Sequence, residues 1–161
     1  MIQRRGVIQE GVLVGLVGAA TVALWFLIYD AMTGEPFRTP ALFGSALFQG
    51  LRDAGDLQVT ARPVLAYTVL HVGVFAAFGI GAAALFALAE GDRRVLFGLF
   101  MLFCCFEVFA IALGVITREW LSHTLPAWPF LVANALATVT MLGMLFRHSR
   151  RSARELLVAG E

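Results

Sequence analysis

The sequence contains no lysine and few charged residues of any kind. Charged side chains make up 14% of its 161 residues, whereas a typical soluble domain has about 25%. So few charges cannot cover the surface of a soluble protein of this size, and this composition excludes a nucleic-acid-binding protein and a disordered chain. Arginine occupies all twelve basic positions, which indicates a GC-rich genome rather than a particular chemistry.

Cysteine is scarce as well, and no catalytic signature accompanies it. Cys104 and Cys105 are adjacent within an apolar run, which excludes a disulfide framework and a CxxC motif and favours small buried side chains. A metal site would require His123 to fold inward from a loop, and bis-histidine haem would require a second histidine within a span. The sequence therefore predicts no metal site and identifies no cofactor.

Apolar residues are abundant, at 60% of the chain, and they form four long runs. About 20 consecutive apolar residues are needed to cross a bilayer as a helix, and each run reaches that length. The first is expected to be an uncleaved span, because it is too long for a signal peptide. We predict an all-α integral membrane protein, a single domain over residues 1–161 that folds as a four-transmembrane-helix bundle, with spans at about 8–30, 63–89, 95–117 and 125–147.

The arginines predict the orientation of these spans. Four spans put both termini on one side, which would carry eight arginines against four on the other. The positive-inside rule then places both termini in the cytoplasm of a bacterium, with the chain in the inner membrane. The aromatic side chains expected at the outer interface are Trp25, Tyr29, Trp120 and Trp128.

The outer segment between the first two spans predicts a short amphipathic helix. Thr39-Pro40 is typical of an N-cap followed by proline in the first turn, so the helix is expected over about 40–52. It would lie on the outer membrane surface or across the mouth of the bundle. Asp30, just before it, is interpreted as an ordinary helix terminator. The predicted apolar side comprises Leu42, Phe43, Ala46, Leu47, Phe48 and Leu51, and the polar side Ser45, Gln49, Arg52, Asp53 and Asp56.

Two further patterns predict contacts with partners. Small residues permit close helix packing in membranes, and the sequence offers a stripe of Gly11, Gly15 and Gly18 in the first span and Gly114 in the third. The fourth span is expected to extend as a basic helix over 147–158, which would contact anionic lipid or dock a partner. Its arginines share one face: Arg147, Arg150, Arg151 and Arg154.

Polar residues inside the spans give the candidate functional site. At 1.5 Å per residue, one polar side chain of each span falls about 10–15 Å below the outer boundary: Thr21, His71, Glu107 and Asn134. A carboxyl group this deep is costly and almost always faces the interior of a bundle. We therefore predict a hydrogen-bonded cluster of His71, Glu107 and Asn134, with Tyr67 one turn from His71.

This cluster leaves two classes of function open. The first is a non-enzymatic membrane component or accessory subunit, whose polar cluster binds a small ligand or fixes helix packing. Its partners would be the lipid bilayer and either other membrane subunits or a second copy. The second is a proton-coupled transporter or redox/quinone-linked protein, in which Glu107 and His71 carry the proton.

Overall fold

The computed structural model describes residues 2–88, 126 and 128–158, with side chains for 6–88, 126 and 128–147. Within these residues the chain forms four α-helices and one turn of 3-10 helix, Ala54–Asp56, and no strand. The helices are α1 (Ile2–Met32), α2 (Arg38–Gln49), α3 (Ala61–Leu88) and α4 (Trp128–Val158). The predicted third span, 95–117, lies outside the described residues.

Three of the four helices are long and apolar enough to cross a membrane. The membrane-compatible segments are Gly6–Met32, Ala61–Ala87 and Trp128–Arg147. Many of their large apolar side chains are exposed, including Leu24, Leu65, Val69 and Val139. In water such surfaces would be costly, whereas a bilayer solvates them. The described residues thus form an all-helical fold whose three apolar helices are compatible with a membrane protein.

Helix α1 lies at the centre of the described structure and packs along both α3 and α4. The core has two parts, one around Val14, Met141 and Leu145 and the other around Phe26 and Ala133. As residue numbers rise along α1, those of the contacting residues in α3 fall, from Gly11 against Ile80 to Ala19 against His71. The two helices are therefore antiparallel.

The contacts of α1 with α4 show the same antiparallel order. Gly18 lies against Met141, and Trp25 reaches Pro129. Helices α3 and α4 are consequently parallel to each other, although they make few direct contacts. They meet at the end of the bundle near the N-terminus, where the rings of Phe86 and Phe146 are 5.4 Å apart.

A tight turn links α1 to α2. Gly34 has a φ of 88°, and its N–H donates to the carbonyl of Ala31 while that of Glu35 donates to the carbonyl of Asp30. These two bonds form a Schellman motif, which favours glycine at the left-handed position. The chain thus reverses sharply and brings α2 back against the end of α1.

Helix α2 differs from the sequence prediction in its start and in its buried face. It begins at Arg38, and its N-cap is Phe37, which makes no side-chain capping bond. The prediction that Thr39 caps the helix is therefore wrong. Ser45, expected on the polar side, is buried, whereas Leu47 and Phe48 are exposed.

Candidate functional site

His71 joins α3 to the backbone of α1. Its Nε2 atom lies 3.3 Å from the carbonyl oxygen of Ala19. Because a carbonyl oxygen can only accept, Nε2 must carry a proton and donate it. In the neutral imidazole the Nδ1 atom then holds the lone pair, and this atom remains able to accept a proton or bind a ligand.

Aromatic rings lie along α3 on both sides of His71. Tyr67, His71 and Phe75 are spaced four residues apart, so their side chains lie above one another on one face of the helix. The ring centroids of Tyr67 and His71 are 5.7 Å apart, and those of His71 and Phe75 are 4.7 Å apart. The imidazole is therefore enclosed along the helix axis.

Phe43 of α2 completes this stack and links it to α4. Its ring lies parallel to that of Tyr67, with centroids 5.5 Å apart. It also meets Phe130 of α4 edge to face at 5.8 Å. Phe43 thus fills the space between α3 and α4 on the outer side of His71.

Thr21 of α1 and Asn134 of α4 are the other predicted site residues that the structure describes. The hydroxyl of Thr21 donates to the carbonyl of Val17 at 2.8 Å and lies 3.4 Å from the hydroxyl of Thr140 on α4. Asn134 is half-buried on α4 and takes part in a noncovalent interaction of its own. Glu107 lies outside the described residues, so its contact with His71 stays a prediction.

The glycines predicted to pack helices lie at two different interfaces. A Cβ atom on Gly15 would overlap the carbonyl oxygen of Phe75, and one on Gly11 would overlap the backbone of Ile80. Gly18 instead faces α4, where an added Cβ would lie 2.6 Å from the sulfur of Met141. Gly114 lies outside the described residues. Backbones of α1 and α3 thus touch directly at Gly11 and Gly15.

Asp30 has a larger structural role than the sequence predicted. Its side chain is 1% exposed, and its carboxylate accepts the backbone N–H of Thr39 at 2.7 Å and the Thr39 hydroxyl at 2.6 Å. It therefore satisfies a free N–H in the first turn of α2 from a different helix, and its charge is favourable at a helix N-terminus. The interpretation of Asp30 as an ordinary helix terminator is wrong.

Charged neighbours flank this buried carboxylate. Arg38 pairs with Glu35 through its terminal guanidinium nitrogen, and its Nε atom is buried without a hydrogen-bond partner among the described residues. The sequence feature that corresponds to this site is a spacing of nine residues between Asp30 and Thr39, with a glycine between them to reverse the chain. This spacing does not by itself predict that the two side chains meet.

Three of the predicted interfacial aromatics form one cluster. The indole N–H of Trp25 donates to the carbonyl of Pro129 at 2.9 Å. The rings of Trp25 and Tyr29 each meet Trp128 edge to face, at 6.3 Å and 5.6 Å. Trp120 lies outside the described residues. The cluster ties the last turns of α1 to the first turn of α4.

The basic positions of the C-terminal segment belong to α4, which continues without a break to Val158. Arg147 is exposed, and the side chains of Arg150, Arg151 and Arg154 are outside the described part. Among the described side chains no group of three metal-ligating residues comes together. No family model matches the sequence, and comparisons with curated proteins and with solved structures find no similar protein.

Proposed function

We propose that this chain is a small, non-enzymatic component of a bacterial inner membrane, with both termini in the cytoplasm. The three long helices and their exposed apolar side chains support the membrane location. The parallel arrangement of α3 and α4 supports a further crossing between them, since α3 ends and α4 begins at opposite ends of the bundle.

In this proposal the polar side chains inside the spans fix how the helices pack. The observation that carries it is the hydrogen bond from His71 to the backbone of Ala19. Thr21 and Thr140 make a similar approach between α1 and α4. Hydrogen bonds between membrane helices contribute about 0.6 kcal/mol on average, so together they set the register of α1 against its two neighbours.

The alternative function is proton transfer in a transporter or a redox/quinone-linked protein. The observation that favours it is the contact of the His71 Nε2 atom with the Ala19 carbonyl oxygen, because donation from Nε2 leaves Nδ1 to exchange a proton. Glu107 would be the second carrier, and Asn134 would lie beside them. An absorbance spectrum and metal analysis of the purified protein test the redox version, which a colourless, metal-free sample would exclude.

Substitutions at His71 separate the two functions. In His71→Gln the amide N–H replaces the Nε2 donor, whereas His71→Leu removes the bond. A packing role predicts that His71→Gln has the same midpoint denaturant concentration as the wild type. It also predicts that His71→Leu lowers the free energy of unfolding by about 0.5–1.5 kcal/mol. The measurement is unfolding of the purified protein in mixed micelles.

Proton flux into vesicles containing the reconstituted protein gives the second readout. Under the packing role, vesicles containing wild-type protein acidify no faster than empty ones. A flux that disappears in both His71→Gln and Glu107→Gln, with both variants folded, would overturn the packing role in favour of proton transfer.

A further inference from the structure

The burial of α2 changes along its length rather than around its circumference. Thr39, Leu42 and Gly44, in its first two turns, are all buried, and at about 100° per residue they are spread over more than half of the helix circumference. In the last turn Leu47 is 59% exposed and Phe48 is 55% exposed. The first two turns are therefore embedded in the protein, and the last turn projects from it with two large apolar side chains.

Two contacts hold α2 in this position. At its start, Thr39 is bound to the buried carboxylate of Asp30. At its centre, Gly44 packs against the backbone of Pro63, so closely that a Cβ atom would overlap the Pro63 carbonyl oxygen. With both points held, the direction in which the last turn projects is fixed.

The contact with Pro63 also sets the level of α2 relative to the membrane. Pro63 lies in the first turn of α3, at the start of its membrane-compatible segment. Leu65 and Val69, in the turns that follow, are 63% and 73% exposed, as expected of side chains that face lipid. The last turn of α2 is thus near the level at which the apolar surface of α3 begins. Charged residues return only after this turn, with Arg52, Asp53 and Asp56.

We propose that the last turn of α2 inserts Leu47 and Phe48 into the outer leaflet, at the boundary between the lipid headgroups and the acyl chains. Exposed apolar side chains next to charged residues are typical of a segment that binds this boundary. Of the two positions open from the sequence, this places α2 on the flank of the bundle, in contact with lipid, rather than across its mouth.

Spin labels test this location directly. Leu47→Cys and Phe48→Cys are each labelled with a nitroxide in a Cys104→Ala, Cys105→Ala background and reconstituted into vesicles of phosphatidylethanolamine and phosphatidylglycerol. Collision with oxygen, which concentrates in lipid, is compared with collision with a water-soluble nickel complex. Val69→Cys is the lipid-facing control, and Asp56→Cys, which is exposed after α2, is the aqueous control.

The expected result is that both α2 labels follow Val69→Cys, with an oxygen-to-nickel collision ratio several-fold above that of Asp56→Cys. Labels that follow Asp56→Cys would overturn the lipid contact. Spectra broadened by coupling between two labels would also overturn it, since they would show a second copy of the chain on this surface. The lipid location of α2 rests on the proposed membrane location of the chain but not on the role of His71. If the Val69→Cys label is also exposed to water, the membrane location itself is wrong; if only the α2 labels are exposed to water, the proposal for α2 is wrong.

Discussion

At the scale of single residues, the carboxylate of Asp30 makes the strongest polar connection between two described helices. It accepts two hydrogen bonds from Thr39 while almost fully buried. Hydrogen bonds to a charged group contribute more than neutral ones, and a buried donor that loses its acceptor is costly. Both effects make the start of α2 dependent on Asp30.

We expect Asp30→Ala to lower the free energy of unfolding by about 1–3 kcal/mol, because it leaves the N–H and the hydroxyl of Thr39 unpaired. Thr39→Val should lower the free energy of unfolding by about as much, because the Asp30 carboxylate then loses the Thr39 hydroxyl as a donor. The measurement is unfolding in mixed micelles for both single variants and the double variant.

The double variant should cost clearly less than the sum of the two single ones, as expected for partners in one interaction. Asp53→Ala is the matched control, because the Asp53 carboxylate is exposed and caps only a single turn of 3-10 helix through the N–H of Gly55. It should change stability by about 0.5 kcal/mol, the lower end for loss of a cap. Additive losses at Asp30 and Thr39 would contradict the pairing.

This residue-level site shows what the sequence does not reveal. The polar residues inside the spans could be found from their depth along apolar runs. The role of Asp30 could not, because it depends on the chain reversal at Gly34 and on a partner in another helix. For the same reason Thr39 had the pattern of an N-cap, although its hydroxyl is used to bind Asp30.

At the scale of helices, the direct backbone contact between α1 and α3 determines their spacing. Gly79 is the small residue on the α3 side of this contact, because a Cβ atom there would lie 2.7 Å from the Cα of Gly15. Small residues on both helices allow this approach, which replaces the hydrophobic driving force that is lacking between helices in lipid.

Gly15→Ala should therefore force α1 and α3 apart and destabilise the protein by about 1–3 kcal/mol, the usual range for overpacking. Gly143→Ala is the matched control on α4, where an added Cβ meets nothing within 4 Å. It should leave the stability unchanged or raise it by up to about 1 kcal/mol, because alanine has the higher helix propensity. Thermal unfolding in detergent compares the two, and equal stability would contradict the close crossing.

The helices themselves could be predicted from the lengths of the apolar runs, but the orientation of α2 could not. A periodic pattern assumes that one side of a helix faces the protein and the other faces solvent. The first two turns of α2 are enclosed on several sides, by Asp30, Pro63 and the rings around Phe43. Ser45 is consequently buried, while Leu47 and Phe48 at the helix end are not.

At the scale of the whole molecule, the antiparallel contacts of α1 place the start of α2 and the C-terminal part of α4 at opposite ends of the bundle. Together with the arginine distribution, this predicts that Asp53 is outside the cell and that Ser149 is inside. Asp53→Cys should therefore react with a membrane-impermeant maleimide in intact bacterial cells, and Ser149→Cys only after the membrane is opened.

Both variants carry Cys104→Ala and Cys105→Ala, so that only the introduced thiol reacts. Labelling of Ser149→Cys alone in intact cells would reverse the orientation. Labelling of both would show that the two positions share the outer side, which the antiparallel packing of α1 against α4 does not allow for a membrane-spanning pair.

The central position of α1 has a consequence for biosynthesis. Helices enter the membrane in the order of their synthesis and then associate there, so α1 arrives before either of its neighbours. The Asp30–Thr39 bonds, the Gly44–Pro63 contact and the Gly15–Phe75 contact all lie within the first 88 residues. All the residues that make these contacts between α1, α2 and α3 are therefore synthesised before those of α4. We therefore expect α4 to dock on a surface that α1, α2 and α3 can form before it is synthesised.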